Sequence, residues 1–320
     1  MRALDGCRIL DVSHVIAGPF RTAQLALLGA EVIRVEQPGI GDYMRGRDGD
    51  DALRRQGMGD HFAIQNANKR SIAINLETLE GRDLARRLAR GVDAVVENFR
   101  PGVMARLGLD HATLSAENPR LVTLSLSGYG QSGPLAARGT YDNVVQAFSG
   151  LMGMTGTAES GPLKAGAPIL DHASGTMAAF ALTAALLRRE RTGQGQHVDV
   201  SMLDTTFLLM APVISSLLNG GRAPKPHANE HALAGASCYE AADGALIMLG
   251  ACTQRQFETL WWPSASGEIA IPVGAWRADT DGPALDRPPP RLGADTEAVL
   301  REAGLTQAEI AALRAAGAIA

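Results

Sequence analysis

The sequence has few aromatic residues, few cysteines and no long block of charge of one sign. Only 4% of its 320 residues are aromatic whereas 36 are glycine, so we expect layers that pack closely through small side chains. The three cysteines, Cys7, Cys238 and Cys252, are far apart and show no C-x-x-C spacing. This argues against a disulfide framework or a cysteine-based zinc site, and the histidines and acids show no metal-binding spacing either. We therefore predict no metal.

The charge and hydropathy patterns exclude further classes of protein. The net charge is −4 and no basic patch stands out, which argues against binding of nucleic acid. Residues 1–6 lack the apolar stretch of a signal peptide, and no apolar run reaches the ~20 residues that a membrane span requires. We expect a cytoplasmic protein that binds neither nucleic acid nor membrane.

Strand-like and helix-like patterns alternate along the first third of the chain. A buried-strand run at residues 8–12 is followed by a helix from Gly18 to Leu28 and a second strand at residues 31–36, which together form a βαβ unit. The pattern recurs with a helix at residues 80–90 and strands at 71–76, 93–97 and 120–127. The alternation predicts an α/β fold, a Rossmann-like parallel sheet with helices on both faces.

Other segments lack this alternation. Residues 37–67 are polar and are predicted to be an extended connection or loop. The Asp-Gly turn at residues 243–244 predicts a β-hairpin formed by residues 237–239 and 245–249. Two short C-terminal helices are expected at about residues 294–302 and 307–315.

The turn after the first strand does not have the dinucleotide-binding fingerprint. It contains one glycine, Gly18, where G-x-G-x-x-G is required, so the pattern argues against an NAD enzyme. His14 closes the first strand, at the edge where open α/β sheets bind ligands. A ligand contact and a structural hydrogen bond are both open for this histidine.

Asp171 is the strongest candidate for chemistry. It ends the apolar run at residues 167–170 and precedes a predicted helix at residues 173–189. A carboxylate at a strand-to-helix turn faces backbone N–H groups and the positive end of the helix, which keep it ionised. Such a carboxylate can attack an activated acyl group, but Asp is also a preferred helix N-cap. The residue type alone leaves both interpretations open.

Basic residues near glycine turns could hold an anionic ligand. Arg100 and Arg106 follow a predicted strand end in the segment at residues 97–106. Guanidinium groups bind phosphates in a bidentate manner, so these residues could hold a nucleotide-like molecule. Taken singly, each such residue is more often a solvated surface charge.

Together these stretches resemble the class III CoA-transferases, the CaiB/BaiF family. The resemblance spans residues 4–260 and 287–318, with most of the family's small second domain missing. It rests on ordered motifs at residues 4–6, 17–19, 28–36 (LGAEVIRVE), 68–71, 97–102, 127–130, 141–142, 192–196 and 292–296.

The resemblance implies acyl-CoA chemistry with Asp171 as the catalytic carboxylate. In such an acyl-CoA:carboxylate CoA-transferase, a covalent aspartyl intermediate carries the acyl group, CoA is a substrate and no cofactor is bound permanently. The partners would be an acyl-CoA and a carboxylic acid. The positions that match the family's CoA-binding residues are His14, Val15, Ile16, Ala17, Asn98, Phe99, Arg100, Arg106, Gly139, Tyr141 and Asp142.

Two alternatives follow from departures within the family. In the related α-methylacyl-CoA racemases a His and an Asp exchange a proton, and Glu240 matches a racemase acid although Tyr141 stands at the His position. The shortened second domain allows a catalytically impaired member. The implied layout is a large CoA-binding domain at 1–220, a small-domain remnant and linker at 221–286, and a helical segment at 287–320 that returns to the large domain. The family also implies a homodimer whose chains can interlock.

Overall fold

The structure, a computed structural model, forms two compact units. It describes residues 1–230, 236–250, 252–253, 255–256 and 290–320. The first unit contains Met1–Val145, Pro168–Leu209 and Arg277–Ala320, and the second contains Gln146–Ala167 and Met210–Trp276. The division predicted at residues 220 and 286 stays a prediction, because much of the segment 221–286 lies outside the described residues.

A six-stranded sheet forms the centre of the first unit, and every neighbouring pair of strands is parallel. The strand order is β3-β2-β1-β4-β5-β6, so the order reverses between β1 and β4. The ends of β1 and β4 thus flank a switch point, where open α/β sheets bind ligands. The strands are β1 (Arg8–Asp11), β2 (Glu31–Glu36), β3 (Arg70–Ala73), β4 (Ala94–Glu97), β5 (Val122–Ser127) and β6 (His197–Ser201).

Helices surround this sheet, which confirms the predicted α/β class. The crossovers between parallel strands are right-handed. Because the order in which strands are added reverses at the switch point, the helices of the two halves lie on opposite faces of the sheet. Along the described chain the helices are α1 (Ala17–Leu27), α2 (Asp51–Arg55), α3 (Asp60–Asn66), α4 (Leu79–Ala89), α5 (Val103–Leu107), α6 (His111–Glu117), α7 (Asp142–Phe148), α8 (Ile169–Thr192), α9 (Met202–Leu209), α10 (Ala211–Gly220), α11 (Thr296–Glu302) and α12 (Gln307–Ala315), of which α10 belongs to the second unit.

Helix α8 begins earlier than the sequence pattern predicts. It starts at Ile169, not at Ala173, so the apolar run before Asp171 is helical and is not a strand. The helix packs against α1 at Gly175, where a Cβ atom would lie 2.8 Å from the carbonyl oxygen of Ala17. Its length of 24 residues and apolar composition meet the criteria for a membrane span, as do α9 and α10 taken together, but buried core helices meet the same criteria.

The C-terminal helices bring the end of the chain to the outer strand of the sheet. The backbone N–H of Asp295 donates to the carbonyl of Ser71 at 2.9 Å, and the Ala73 N–H donates to the Thr296 hydroxyl at 2.9 Å. Ile319 forms an isolated antiparallel bridge with Ile74 just beyond β3. The two helices lie close to their predicted positions.

The segment at residues 37–67 is not the extended connection that its polar composition suggested. It contains a 3-10 helix at Tyr43–Gly46 as well as α2 and α3. Asp42 accepts a hydrogen bond from the Met44 N–H, and Asp50 accepts from the N–H groups of Ala52 and Leu53. Side-chain caps therefore supply partners for these short helices, which have little apolar periodicity.

The second unit contains the predicted hairpin. Strand β7 (Cys238–Glu240) pairs antiparallel with β8 (Leu246–Met248). The turn includes Gly244, whose φ of 83° lies in the left-handed region that glycine adopts readily. The unit also holds α10 and a 3-10 helix at Leu151–Met154.

Candidate active site

The loops that follow β1 and β4 are joined across the switch point. The Asn98 side chain accepts from the His14 N–H at 2.8 Å and donates to the His14 carbonyl at 2.8 Å. The His14 ring lies on Phe99 with centroids 5.2 Å apart. Both ends of the Asn98 amide therefore bond the His14 backbone, which fixes the main chain of this histidine but not the role of its ring. Its contact with CoA stays a prediction.

A cleft of about 430 Å³ opens beside these loops. Three of the predicted CoA-binding residues, His14, Phe99 and Arg106, line it. Arg106 is exposed, and Arg34 at the cleft is buried. A flexible exposed guanidinium at the edge of a cleft can bind a phosphate without first breaking a buried ion pair.

Beneath the cleft lies a buried ionic cluster that the sequence analysis did not identify. Asp11 and Lys69 are fully buried and paired at 3.2 Å, and Arg34 lies 3.6 Å from Asp11. Burial alone would raise the pKa of Asp11, but the cations of Lys69 and Arg34 hold it well below its usual range. The signal was present in the sequence: Asp11 ends a buried strand and Lys69 precedes another.

Asp171 lies in the first turn of α8 and is partly buried. It is not the N-cap, which is Pro168, a residue with no capping side chain. The cap is supplied from elsewhere in the chain: the Asp142 carboxylate accepts from the N–H groups of Leu170 at 2.6 Å and Asp171 at 3.1 Å. A carboxylate at this helix end satisfies backbone donors that would otherwise lack partners.

The ionisation predicted for Asp171 is wrong in direction. Burial, together with the negative charge of Asp142, raises the pKa of Asp171 to about 7. Asp142 already occupies the positive end of the helix, so the helix stabilises the Asp142 charge and Asp171 receives a like-charged neighbour. Asp171 is therefore poised to gain or lose a proton near neutral pH.

The packing of α8 places Asp171 one helical turn before the contact of this helix with the start of α1. Asp171 and Gly175 are four residues apart and share one helix face, and Gly175 abuts the Ala17 carbonyl. The neighbouring His172 donates through Nδ1 to the Pro168 carbonyl at 3.0 Å, and its ring meets Phe20 edge-on at 4.6 Å. His172 thus braces the helix against α1.

The remaining predicted residues occupy varied positions. Ile16 is the N-cap of α1, and Ala17 is its buried first residue. Gly139 lies against the Arg100 guanidinium, since a Cβ there would be 2.7 Å from Nη2. Tyr141 has 73% of its surface exposed. In the part of the chain that the structure describes, no group of three His, Cys, Asp or Glu side chains could hold a metal ion.

Comparison with known proteins gives consistent matches. The model of a family described as CoA-transferase family III matches residues 4–270. An acyl-CoA transferase of Fusarium pseudograminearum is 39% identical over 264 residues, 81% of this chain and 58% of that protein. Succinyl-CoA:glutarate CoA-transferase of Mus musculus is 36% identical over 258 residues, 80% of this chain and 58% of that protein.

A solved structure of similar length also matches. A CAIB/BAIF family protein from Brucella suis superposes with a TM-score of 0.80 at 27% identity, covering 94% of this chain and 99% of that chain. By contrast, the chain spans only 58% of the length of the two curated relatives.

Proposed function

Because the chain belongs to CoA-transferase family III, we propose that it transfers CoA from an acyl-CoA to a carboxylic acid, with Asp171 as the nucleophile. The observation that carries this proposal is the position of Asp171. It is a partly buried carboxyl in the first turn of α8, one turn before the contact of this helix with the Ala17 carbonyl at the start of α1. The relative from Mus musculus is named for succinyl-CoA and glutarate, which supports dicarboxylic acids as substrates.

The proposed reaction proceeds through four acyl transfers. The Asp171 carboxylate attacks the thioester carbonyl and the C–S bond breaks. CoA departs as the thiolate, and the acyl group is joined to Asp171 as a mixed anhydride. The thiolate then attacks the Asp171 carbonyl, giving an aspartyl-CoA thioester and the free donor acid. The acceptor carboxylate attacks this thioester and releases thiolate, which attacks the acceptor carbonyl. The acceptor leaves as its CoA ester and the Asp171 carboxylate is restored.

Arg106 and Asp171 support this scheme in distinct ways. Arg106 at the cleft provides a cation for a phosphate of CoA. Partial burial of Asp171 limits access of water to the anhydride and thioester, which water would hydrolyse. The CoA thioester is a substrate in this proposal, and no cofactor is bound permanently.

Trapping with hydroxylamine tests the proposal. The protein is incubated with succinyl-CoA and then with hydroxylamine, and the modified residue is mapped by mass spectrometry. We expect a hydroxamate at Asp171 and transfer of CoA to glutarate. Asp204, an exposed acid in the first turn of α9, is the internal control and stays unmodified. Absence of both adduct and transfer across a panel of acyl-CoAs would indicate an impaired family member.

The raised pKa of Asp171 favours one alternative, proton exchange at the α-carbon of an acyl-CoA. A carboxyl with a pKa of about 7 can act as base and acid at neutral pH. Incorporation of deuterium from heavy water into a 2-methylacyl-CoA, without an adduct on Asp171, would select this racemase chemistry over CoA transfer.

We further propose a cytoplasmic homodimer that binds neither nucleic acid nor membrane. Phe180 and Leu187 on α8 and Leu208 on α9 are large apolar side chains that are more than half exposed, which supports burial against a second copy. The three cysteines are free, in accordance with a reducing compartment. Sedimentation of a monomer that does not self-associate would contradict the dimer.

A further inference from the structure

The backbone at Val15, in the loop between β1 and α1, has an unusual conformation. Its φ is 69°, in the left-handed region, and a β-branched residue is disfavoured there because its Cβ substituents crowd the backbone. Val15 lies between His14, which lines the cleft, and Ile16, the N-cap of α1. Strain of this kind persists only where surrounding contacts impose it.

One contact at Val15 comes from outside the loop. The Val15 N–H donates to Oδ2 of Asp42 at 3.0 Å. A hydrogen bond to a charged acceptor is comparable in strength with the cost of a left-handed non-glycine residue, so this contact is able to offset the strain. Asn98 fixes the preceding residue, His14, through the backbone N–H and carbonyl of that residue, whereas the Val15 N–H bonds to Asp42.

Asp42 is itself held rigidly. It is buried, its Oδ2 pairs with the buried Arg34, and its Oδ1 accepts from the Met44 N–H at 2.7 Å. Its own N–H donates to Glu36 at 3.0 Å. The carboxylate therefore cannot follow the loop if the loop relaxes, and it acts as a fixed acceptor.

We propose that Asp42 is a positioning residue that holds Val15 in the left-handed conformation and so sets the loop for acyl-CoA binding. The inference rests on the proposed function, since the ligand is taken to be acyl-CoA. Asp42 itself carries out no chemistry. Its effect is to keep His14 and Ile16 in place at the cleft before the ligand arrives, which lowers the entropy lost on binding.

The test uses Asp42→Ala, Val15→Gly and the double variant. We expect Asp42→Ala to raise KM for acyl-CoA about tenfold with a change in kcat below about twofold, because the loop must be reordered on binding. Amide hydrogen exchange in a peptide containing Val15 should become faster. Glycine adopts a φ of 69° without strain. Val15→Gly should therefore lower KM in the Asp42→Ala background by a factor at least about three times larger than the factor by which it lowers KM in the wild type.

Asp50→Ala is the matched control. Asp50 caps α2 in the same connecting segment and has no contact with the loop among its described hydrogen bonds. Its replacement should lower the unfolding midpoint slightly and leave KM and the exchange of the Val15 peptide unchanged. An unchanged KM in folded Asp42→Ala, or equal effects of Val15→Gly in both backgrounds, would overturn the proposal.

Two outcomes separate this proposal from the proposed function. If Asp42→Ala does not fold, the Val15→Gly single variant decides: relief of strain raises the unfolding midpoint, and a lower midpoint overturns the proposal. If the wild type has no activity on any acyl-CoA, the proposed function fails. The exchange of the Val15 peptide and the unfolding midpoints still decide whether Asp42 positions the loop.

Discussion

Asp11 and Asp171 are both carboxyl groups shielded from water, yet their surroundings move their pKa in opposite directions. Asp11 faces the cations Lys69 and Arg34, which more than compensate for burial and hold its pKa below the usual range. Asp171 has only the like charge of Asp142 as its main charged neighbour, and its pKa rises to about 7. Burial therefore does not determine the role of an acid. The charge of the neighbours holds Asp11 ionised and leaves Asp171 able to gain or lose a proton near neutral pH.

The largest expected effect is the loss of activity in Asp171→Asn. The amide cannot act as a nucleophile, so we expect a decrease in kcat on the order of 10⁴-fold, as for other covalent catalysts. The fold should be retained, because in the part of the chain that the structure describes no cation pairs with Asp171. Steady-state kinetics with matched Asp204→Asn measure this effect, and comparable activity in both variants would remove Asp171 from the chemistry.

Asp11→Asn should lower the free energy of unfolding. The substitution leaves Lys69 buried beside Arg34 without its carboxylate, and breaking a buried pair from one side costs about 3–5 kcal/mol. Urea unfolding measures this loss of free energy of unfolding. The control is Asp83→Asn, since Asp83 is a solvent-exposed acid on α4 whose replacement should change little. A loss as small as that of the control would show that the cluster contributes no net stability.

The pH dependence of activity gives a third test. If Asp171 reacts as a carboxylate, kcat should rise with pH through the pKa of about 7 and level off about one pH unit or more above it, where the group is largely ionised. Between pH 5 and pH 7 the rise should be roughly 50-fold, since the ionised fraction changes about tenfold per unit well below the pKa. A rate independent of pH over this range would contradict the raised pKa or the nucleophilic role.

The smallest effect concerns stability against pH. The folded-state pKa of Asp171 lies above the unfolded value, so the wild type loses stability as pH rises from about 4 to about 7. Asp171→Asn has no such charge to bury. At pH 8 we expect the free energy of unfolding of the variant, measured with urea, to exceed that of the wild type by about 1–2 kcal/mol after allowance for partial exposure. At pH 4 the two proteins should differ little. The reverse order would indicate that Asp171 is stabilised as an anion.

The sequence predicts the sheet well because its signals are local. The runs at residues 8–12 and 31–36 and the glycine after the first helix are sufficient for β1, α1 and β2, and the structure confirms them. The sequence pattern does not predict the start of α8, because the carboxylate that caps this helix lies far from it along the chain. Asp142 lies 29 residues before Asp171, so no pattern near Ile169 reveals that the helix begins there.

The same reason accounts for the errors at the candidate site. The ionisation of Asp171 depends on Asp142, and the conformation of Val15 depends on Asp42, 27 residues away. Residue type at each position suggests a ligand contact or a cap, and only the fold shows which groups meet. The family motifs identified Asp171 without either contact, so the resemblance located the candidate nucleophile and the packing shows what raises its pKa.

The contacts of the chain's last residues with β3 also protect the sheet. An edge strand presents unpaired N–H and C=O groups that can recruit a strand from another molecule. Here Asp295, Thr296 and Ile319 occupy that edge with backbone and side-chain bonds. The C-terminal segment therefore covers part of the edge that β3 would otherwise present to a strand of another molecule.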